Sequence, residues 1–168
     1  YDAEHPAGWY NVGNSCIDLG HHRKAIKNYE KAIKLAKGKK DISGDFQEVL
    51  AWNAMGRAYA RLGQYNEAIR CYSRCIKLDK SMVHAWHNKG IALRKMRRYK
   101  ESIKSYKKAI KLDKKYLGSW NNMGVVFDEL HRYKEAIRCY DKTIKLDKKY
   151  VPGWNNKGIA LRDMRRYK

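Results

Sequence analysis

Proline is nearly missing: Pro6 and Pro152 are the only two in 168 residues. Because proline removes a backbone donor and clashes with the preceding helical turn, its scarcity leaves almost the whole chain free to be helical. Cysteine is sparse as well. Cys16, Cys71, Cys75 and Cys139 show no disulfide-framework spacing, which excludes a small stapled secreted scaffold and points to a reducing compartment, the cytoplasm. Cys71 and Cys75 would share a helix face, but no further ligands stand at a metal-site spacing. They read as small core residues, and no metal is expected. No apolar run approaches the roughly 20 residues a membrane span needs, and no membrane partner is expected. Acidic charge is the last shortage: 17 Asp and Glu stand against 38 Lys and Arg, a net charge of +21. That surplus admits nucleic acid or an acidic protein as partner without choosing between them. A solvated lysine-rich surface is the plainer reading.

What is present is repetition. Trp52, Trp86, Trp120 and Trp154 are spaced by 34 residues, and Trp9 lies 43 before Trp52. A glycine follows each tryptophan four residues on: Gly13, Gly56, Gly90, Gly124 and Gly158. Tyr65, Tyr99, Tyr133 and Tyr167 share one slot, with His22 in the first copy; Tyr29, Tyr72, Tyr106 and Tyr140 share another. The phrase Lys-Leu-Asp recurs at 77–79, 111–113 and 145–147. Within one period the apolar residues fall three or four apart: Trp86, Gly90, Leu93 and Met96, then Tyr99, Ile103, Tyr106 and Ile110. That spacing predicts two helices per period, joined by a tight turn. Two of the turns carry a glycine suited to a left-handed helix end, whereas "MRRY" carries none. Glycine inside the first helix costs about 1 kcal/mol against alanine. Its recurrence at one slot predicts a neighbouring ring that needs the space.

The implied boundaries are 6–39, 49–82, 83–116, 117–150 and a partial unit at 151–168, with an insertion around 37–48. The insertion should lengthen the second helix of the first copy, form a loop and start the next helix early, with Gly38 and Gly44 marking the breaks. The last copy stops after its first helix, so a piece of a longer array is expected.

These residues resemble the tetratricopeptide repeat. In the second copy the match runs through Trp52, Gly56, Tyr59, Leu62, Gly63, Tyr65, Ala68, Tyr72 and Leu78. One departure is that Lys80, Lys114 and Lys148 stand where the family usually places proline. The resemblance implies an all-α fold, a right-handed superhelix (α-solenoid) of helix-turn-helix units, because no unit can bury its face alone. First helices would line a concave groove and second helices the outside.

No catalytic constellation is legible, so no enzyme activity and no cofactor are expected. His84 and His87 lack a completing acidic residue or cysteine, no phosphate loop occurs, and Asp128 and Glu129 are adjacent, so they point apart on a helix. The resemblance places the candidate site in the groove. Asn11, Asn53, Asn88, Asn121, Asn122, Asn155 and Asn156 follow the tryptophans there, with Asn14 further along. Asparagine is a mediocre helix former, yet it recurs in helix interiors. Two readings stand side by side. In one, Asn11, Asn88, Asn122 and Asn156 form a ladder whose amides hold the backbone of an extended peptide, as such ladders do in this family. In the other, the amides bond neighbouring helices. Arg57, Arg61, Arg94, Lys95 and Arg162 on the same helices favour an acidic ligand. A chaperone-tail clamp is not expected, since of its positions only Asn14 matches; Tyr10, Ala54, His84 and Asn88 stand at the others. Lys100, Lys104, Lys107, Lys108 and Lys111 form a basic stripe on the outer side. The resulting expectation is a scaffold that holds a peptide or helix of a partner protein. A polyanion-binding solenoid is the alternative, and end-to-end self-association is admitted by the bare ends.

Overall fold

The computed structural model describes residues 5–38 and 42–166. Among them the chain forms nine helices: α1 (Pro6–Asp18), α2 (His22–Gly38), α3 (Ile42–Arg61), α4 (Tyr65–Leu78), α5 (Val83–Lys95), α6 (Tyr99–Leu112), α7 (Leu117–Glu129), α8 (Tyr133–Leu146) and α9 (Val151–Arg166). Each helix packs on the next. In addition α1 touches α3, α3 touches α5, α5 touches α7 and α7 touches α9, whereas no even-numbered helix touches the next even one. Odd helices are therefore crowded together and even helices splay apart. The array curves with the odd helices inside, a right-handed α-solenoid with a concave face.

The recurring glycine has the purpose its cost implied. A Cβ at Gly13, Gly56, Gly90 or Gly124 would lie 2.4–2.6 Å from the ring of Tyr29, Tyr72, Tyr106 or Tyr140. Each of these tyrosines is at most 2% exposed. Burying such a side chain contributes about 2–3 kcal/mol, so the helix propensity lost at glycine is offset within its own hairpin. Alanine or serine lines the same interface: Ala25, Ala68, Ser102 and Ala136 are fully buried. Ser102 donates to the carbonyl of Gly90 at 2.7 Å, which satisfies its hydroxyl.

The turns inside the hairpins share one geometry despite different sequences. Gly20 and Gly63 have φ of 74°, while Arg97 and His131 hold the same place at 56°. The amide of Arg98 reaches Leu93 O at 2.9 Å, as that of Gln64 reaches Tyr59 O at 3.0 Å. These bonds close the helix ends in the left-handed manner. The turns between hairpins lack proline and use aspartate. Asp79, Asp113 and Asp147 accept the backbone N–H two residues on, from Ser81, Lys115 and Lys149. The tryptophans then fasten the same turns: Trp86, Trp120 and Trp154 donate to the carbonyls of Lys80, Lys114 and Lys148 at 3.0–3.1 Å. Trp52 instead donates to Glu48 at 3.0 Å.

Around the insertion, α2 runs to Gly38 and α3 has already begun at Ile42, giving helices of 17 and 20 residues. Gly44 lies inside α3 and breaks nothing, a correction to its reading as a helix stop: one interior glycine costs only about 1 kcal/mol, which a 20-residue helix absorbs. Residues 39–41, which carry part of the expected loop, and Tyr167 and Lys168 lie outside the described residues.

Candidate functional site

The concave face is built from α1, α3, α5, α7 and α9, and each tyrosine of the even helices passes the glycine to reach it. Tyr29 donates to Asn14 Oδ1 at 2.8 Å, and Tyr140 donates to Asp128 Oδ2 at 2.5 Å. Two cavities open between the first three hairpins. One, of about 200 Å³, is walled by Tyr10, Asn14, Asp18, Tyr29, Arg57 and Arg61. The other, of about 410 Å³, is walled by Arg57, Arg61, Tyr65, Tyr72, Asn88 and Lys95. Asn14, Arg57, Arg61 and Asn88 thus come together as candidate groove residues.

Other candidates turn toward neighbouring hairpins. Asn88 Nδ2 donates to Asn53 Oδ1 at 3.4 Å, and Asn156 Nδ2 donates to Asn121 Oδ1 at 3.1 Å. Asn121 is only 7% exposed. These amides bond adjacent odd helices. Arg94 does the same through a 2.5 Å ion pair with Glu129. Asn11 and Asn155 are exposed and Asn122 is half-buried. The equivalent slot in the third hairpin holds His87, 8% exposed, with Nδ1 3.0 Å from Ser119 Oγ and its ring edge-on to Tyr116. Burial, aided by the neighbouring His84, lowers the His87 pKa to about 4, so the imidazole is neutral at physiological pH.

Charge is unevenly spread along the groove. Arg57, Arg61 and Lys95 belong to the second and third hairpins. Asp128, Glu129 and Asp163 follow in the fourth and fifth, and there Arg94 meets Glu129 and Arg162 meets Asp163 at 2.9 Å. Burial raises the Asp128 carboxyl above its ordinary range, and the Tyr140 hydrogen bond opposes that rise. No group of three His, Cys, Asp or Glu side chains gathers into a metal site among the described residues. No described helix is long and apolar enough to cross a membrane.

The sequence reading overlooked the partition of asparagines between groove and stacking seams. The signal was present: the slot directly after tryptophan runs Tyr10, Asn53, His87, Asn121, Asn155, and the one after it Asn11, Ala54, Asn88, Asn122, Asn156. Adjacent slots on a helix point about 100° apart, and each stacking bond joins the first slot of one hairpin, Asn53 or Asn121, to the second slot of the next, Asn88 or Asn156.

On the outer side, Lys100, Lys104, Lys107, Lys108 and Lys111 surround Ile103 in a shallow cleft of about 380 Å³.

Comparison with solved structures finds the same architecture. A crystal structure of MamA protein superposes with a TM-score of 0.79 at 22% identity, covering 96% of this chain and 85% of that one. YrrB, a TPR protein with an unusual peptide-binding site, gives 0.76 at 18% identity, covering 94% and 76%. The first TPR of Spaghetti (RPAP3), bound to the HSP90 peptide SRMEEVD, gives 0.68 at 20% identity, covering 71% of this chain and 94% of that one. No curated protein matches the chain in sequence. The tetratricopeptide repeat models match residues 6–38, 49–82 and 81–149. With helical hairpins in 34-residue register, a glycine-tyrosine lock in each complete hairpin and those matches over most of its length, the chain belongs to the tetratricopeptide repeat family.

Proposed function

We propose that this chain is a non-catalytic interaction scaffold whose concave face holds a peptide or helix of a partner protein. The observation that carries this reading is the pair of adjoining open cavities between the first three hairpins, which share Arg57 and Arg61 and are lined also by Asn14, Asn88 and Lys95. The similar YrrB has a peptide-binding site and the similar RPAP3 domain binds an HSP90 peptide, which supports a peptide as the ligand. Asn88 keeps its amide oxygen for an incoming N–H while its Nδ2 donates to Asn53. Asn11 and Asn122, in the same slot as Asn88, continue the polar face. The four unpaired cysteines support a reducing, cytoplasmic setting.

A library of short peptides panned against the protein tests this. Recovered peptides should lose binding to Arg57→Glu and to Asn122→Ala, with far-UV circular dichroism unchanged. They should keep binding to Lys104→Glu/Lys108→Glu. The reverse pattern overturns the groove reading.

The outer lysine cleft favours a second reading, binding of nucleic acid or another polyanion. Affinity for a single-stranded oligonucleotide would then fall by orders of magnitude between about 50 and 200 mM salt, and Lys104→Glu/Lys108→Glu would abolish it. End-to-end self-association is supported by Val151, Trp154 and Ile159 of α9, which are 62%, 51% and 47% exposed. Sedimentation equilibrium of the wild type against Trp154→Glu measures it.

A further inference from the structure

We propose that Arg57, Arg61 and Lys95 form an anion subsite that takes the side-chain carboxylates of an acidic, extended peptide; this rests on the groove reading above and names its ligand class. Arg57 and Arg61 line both cavities of the concave face, so the two spaces meet at one cationic wall. Lys95 holds in the third hairpin the slot that Arg61 holds in the second. None of the three takes part in an ion pair among the described residues. The carboxylates further along the groove are already engaged. Glu129 meets Arg94, Asp163 meets Arg162, and Asp128 accepts from Tyr140. Asp18 is the single carboxylate among the residues walling the two cavities, against three cations. Positive charge in this stretch is therefore in excess, while charge in the next stretch is paired.

The chemistry of the wall selects the ligand. Guanidinium groups grip carboxylates with two parallel hydrogen bonds, and Arg57 and Arg61 are exposed at the cavity walls, where a ligand reaches them. Tyr72 and Asn88 stand beside the cations and supply neutral polar groups for a peptide backbone. Arg57 and Arg61 are one helical turn apart, and adjacent groove helices lie about 10 Å apart. An extended chain rises about 3.3 Å per residue, so carboxylates three residues apart meet Arg61 and Lys95 together. The outer lysines line a shallower cleft with no arginine and no asparagine beside them, so they offer point charges without the paired hydrogen bonds of a guanidinium.

The test uses fluorescein-labelled decapeptides, blocked at the C-terminus by amidation, with glutamate at the fourth and seventh positions of a Ser/Val background. A counterpart carries glutamine at both. Fluorescence anisotropy should show the glutamate peptide binding at least tenfold more tightly than the glutamine peptide. Arg57→Gln/Arg61→Gln should erase that difference, bringing the glutamate peptide to the affinity of the glutamine peptide. Equal binding of both peptides by the wild type overturns the subsite and leaves the groove reading standing. A preference for glutamate that survives Arg57→Gln/Arg61→Gln but vanishes in Lys104→Glu/Lys108→Glu overturns it in favour of the outer face. Binding of neither peptide overturns the subsite, and the groove reading then rests on the library panning alone.

Discussion

The ring of Tyr106 occupies the space where a side chain at residue 90 would begin, with Cε1 2.6 Å from the position of a Cβ on Gly90. Gly158 holds the same sequence slot and has nothing within 4 Å. One glycine is demanded by its neighbour and the other is not. Gly90→Ala should therefore cost about 2 kcal/mol, overpacking outweighing the gain in helix propensity. Gly158→Ala should stabilise by up to about 1 kcal/mol. Urea unfolding followed by circular dichroism measures both, and equal effects at the two sites would refute the lock.

His87 makes stability depend on pH. Its folded pKa of about 4 lies below the ordinary value of 6.5, so the unfolded chain binds more protons between these limits. Its contribution is complete above 6.5 and is lost as pH falls toward 4, on the order of 3 kcal/mol in all. Asp128 works in the opposite sense, its folded carboxyl holding its proton to higher pH. The measure is thus the difference between wild type and His87→Asn, the residue that the second and fourth hairpins carry in this slot. That difference should narrow or reverse between pH 7 and pH 4.5.

Arg97 sits at a φ of 56°, where side chains other than glycine are strained. Arg97→Gly should raise stability by about 0.5–1 kcal/mol and Gly63→Arg should lower it by at least as much. Thermal melting of the two variants tests this. A fall in melting temperature for Arg97→Gly would show that the turn draws on the side chain instead.

Three of the four cysteines should resist modification. Cys71, Cys75 and Cys139 are at most 5% exposed, and burial pushes each thiol up to about 12. Cys16 is half-buried and receives a weak hydrogen bond from Asn28 at 3.7 Å. Titration with a chromogenic disulfide at pH 8 should consume one thiol in the native protein and four after denaturation.

Periodicity made the hairpins legible because identical slots repeat identical packing. Gly90 and Tyr106 recur with their partners in four hairpins, so the sequence contained the same contact four times. The turn through Arg97 was harder to read, since arginine does not advertise a left-handed φ and only its alignment with Gly63 does. The aspartates of Lys-Leu-Asp replaced the missing prolines by a local hydrogen bond that composition does not reveal. The site was read least well. Asn121 and Asn122 are adjacent letters, yet one is buried against Asn156 while the other stays on the polar face. Neither identity nor slot separates a stacking amide from a free one, since Asn156 shares the slot of Asn122; what decides is whether the preceding hairpin carries an asparagine to pair with, as Asn121 does for Asn156.

The tyrosine that closes each glycine comes from the same hairpin, 16 residues downstream. Completing one unit therefore asks nothing new of the unit before it. Duplication or deletion of a 34-residue stretch of gene would carry its fastening along with it. An array made this way serves as a ruler: evolution can match the reach of the inner face to the length of a ligand one graduation at a time, without redesigning the rest.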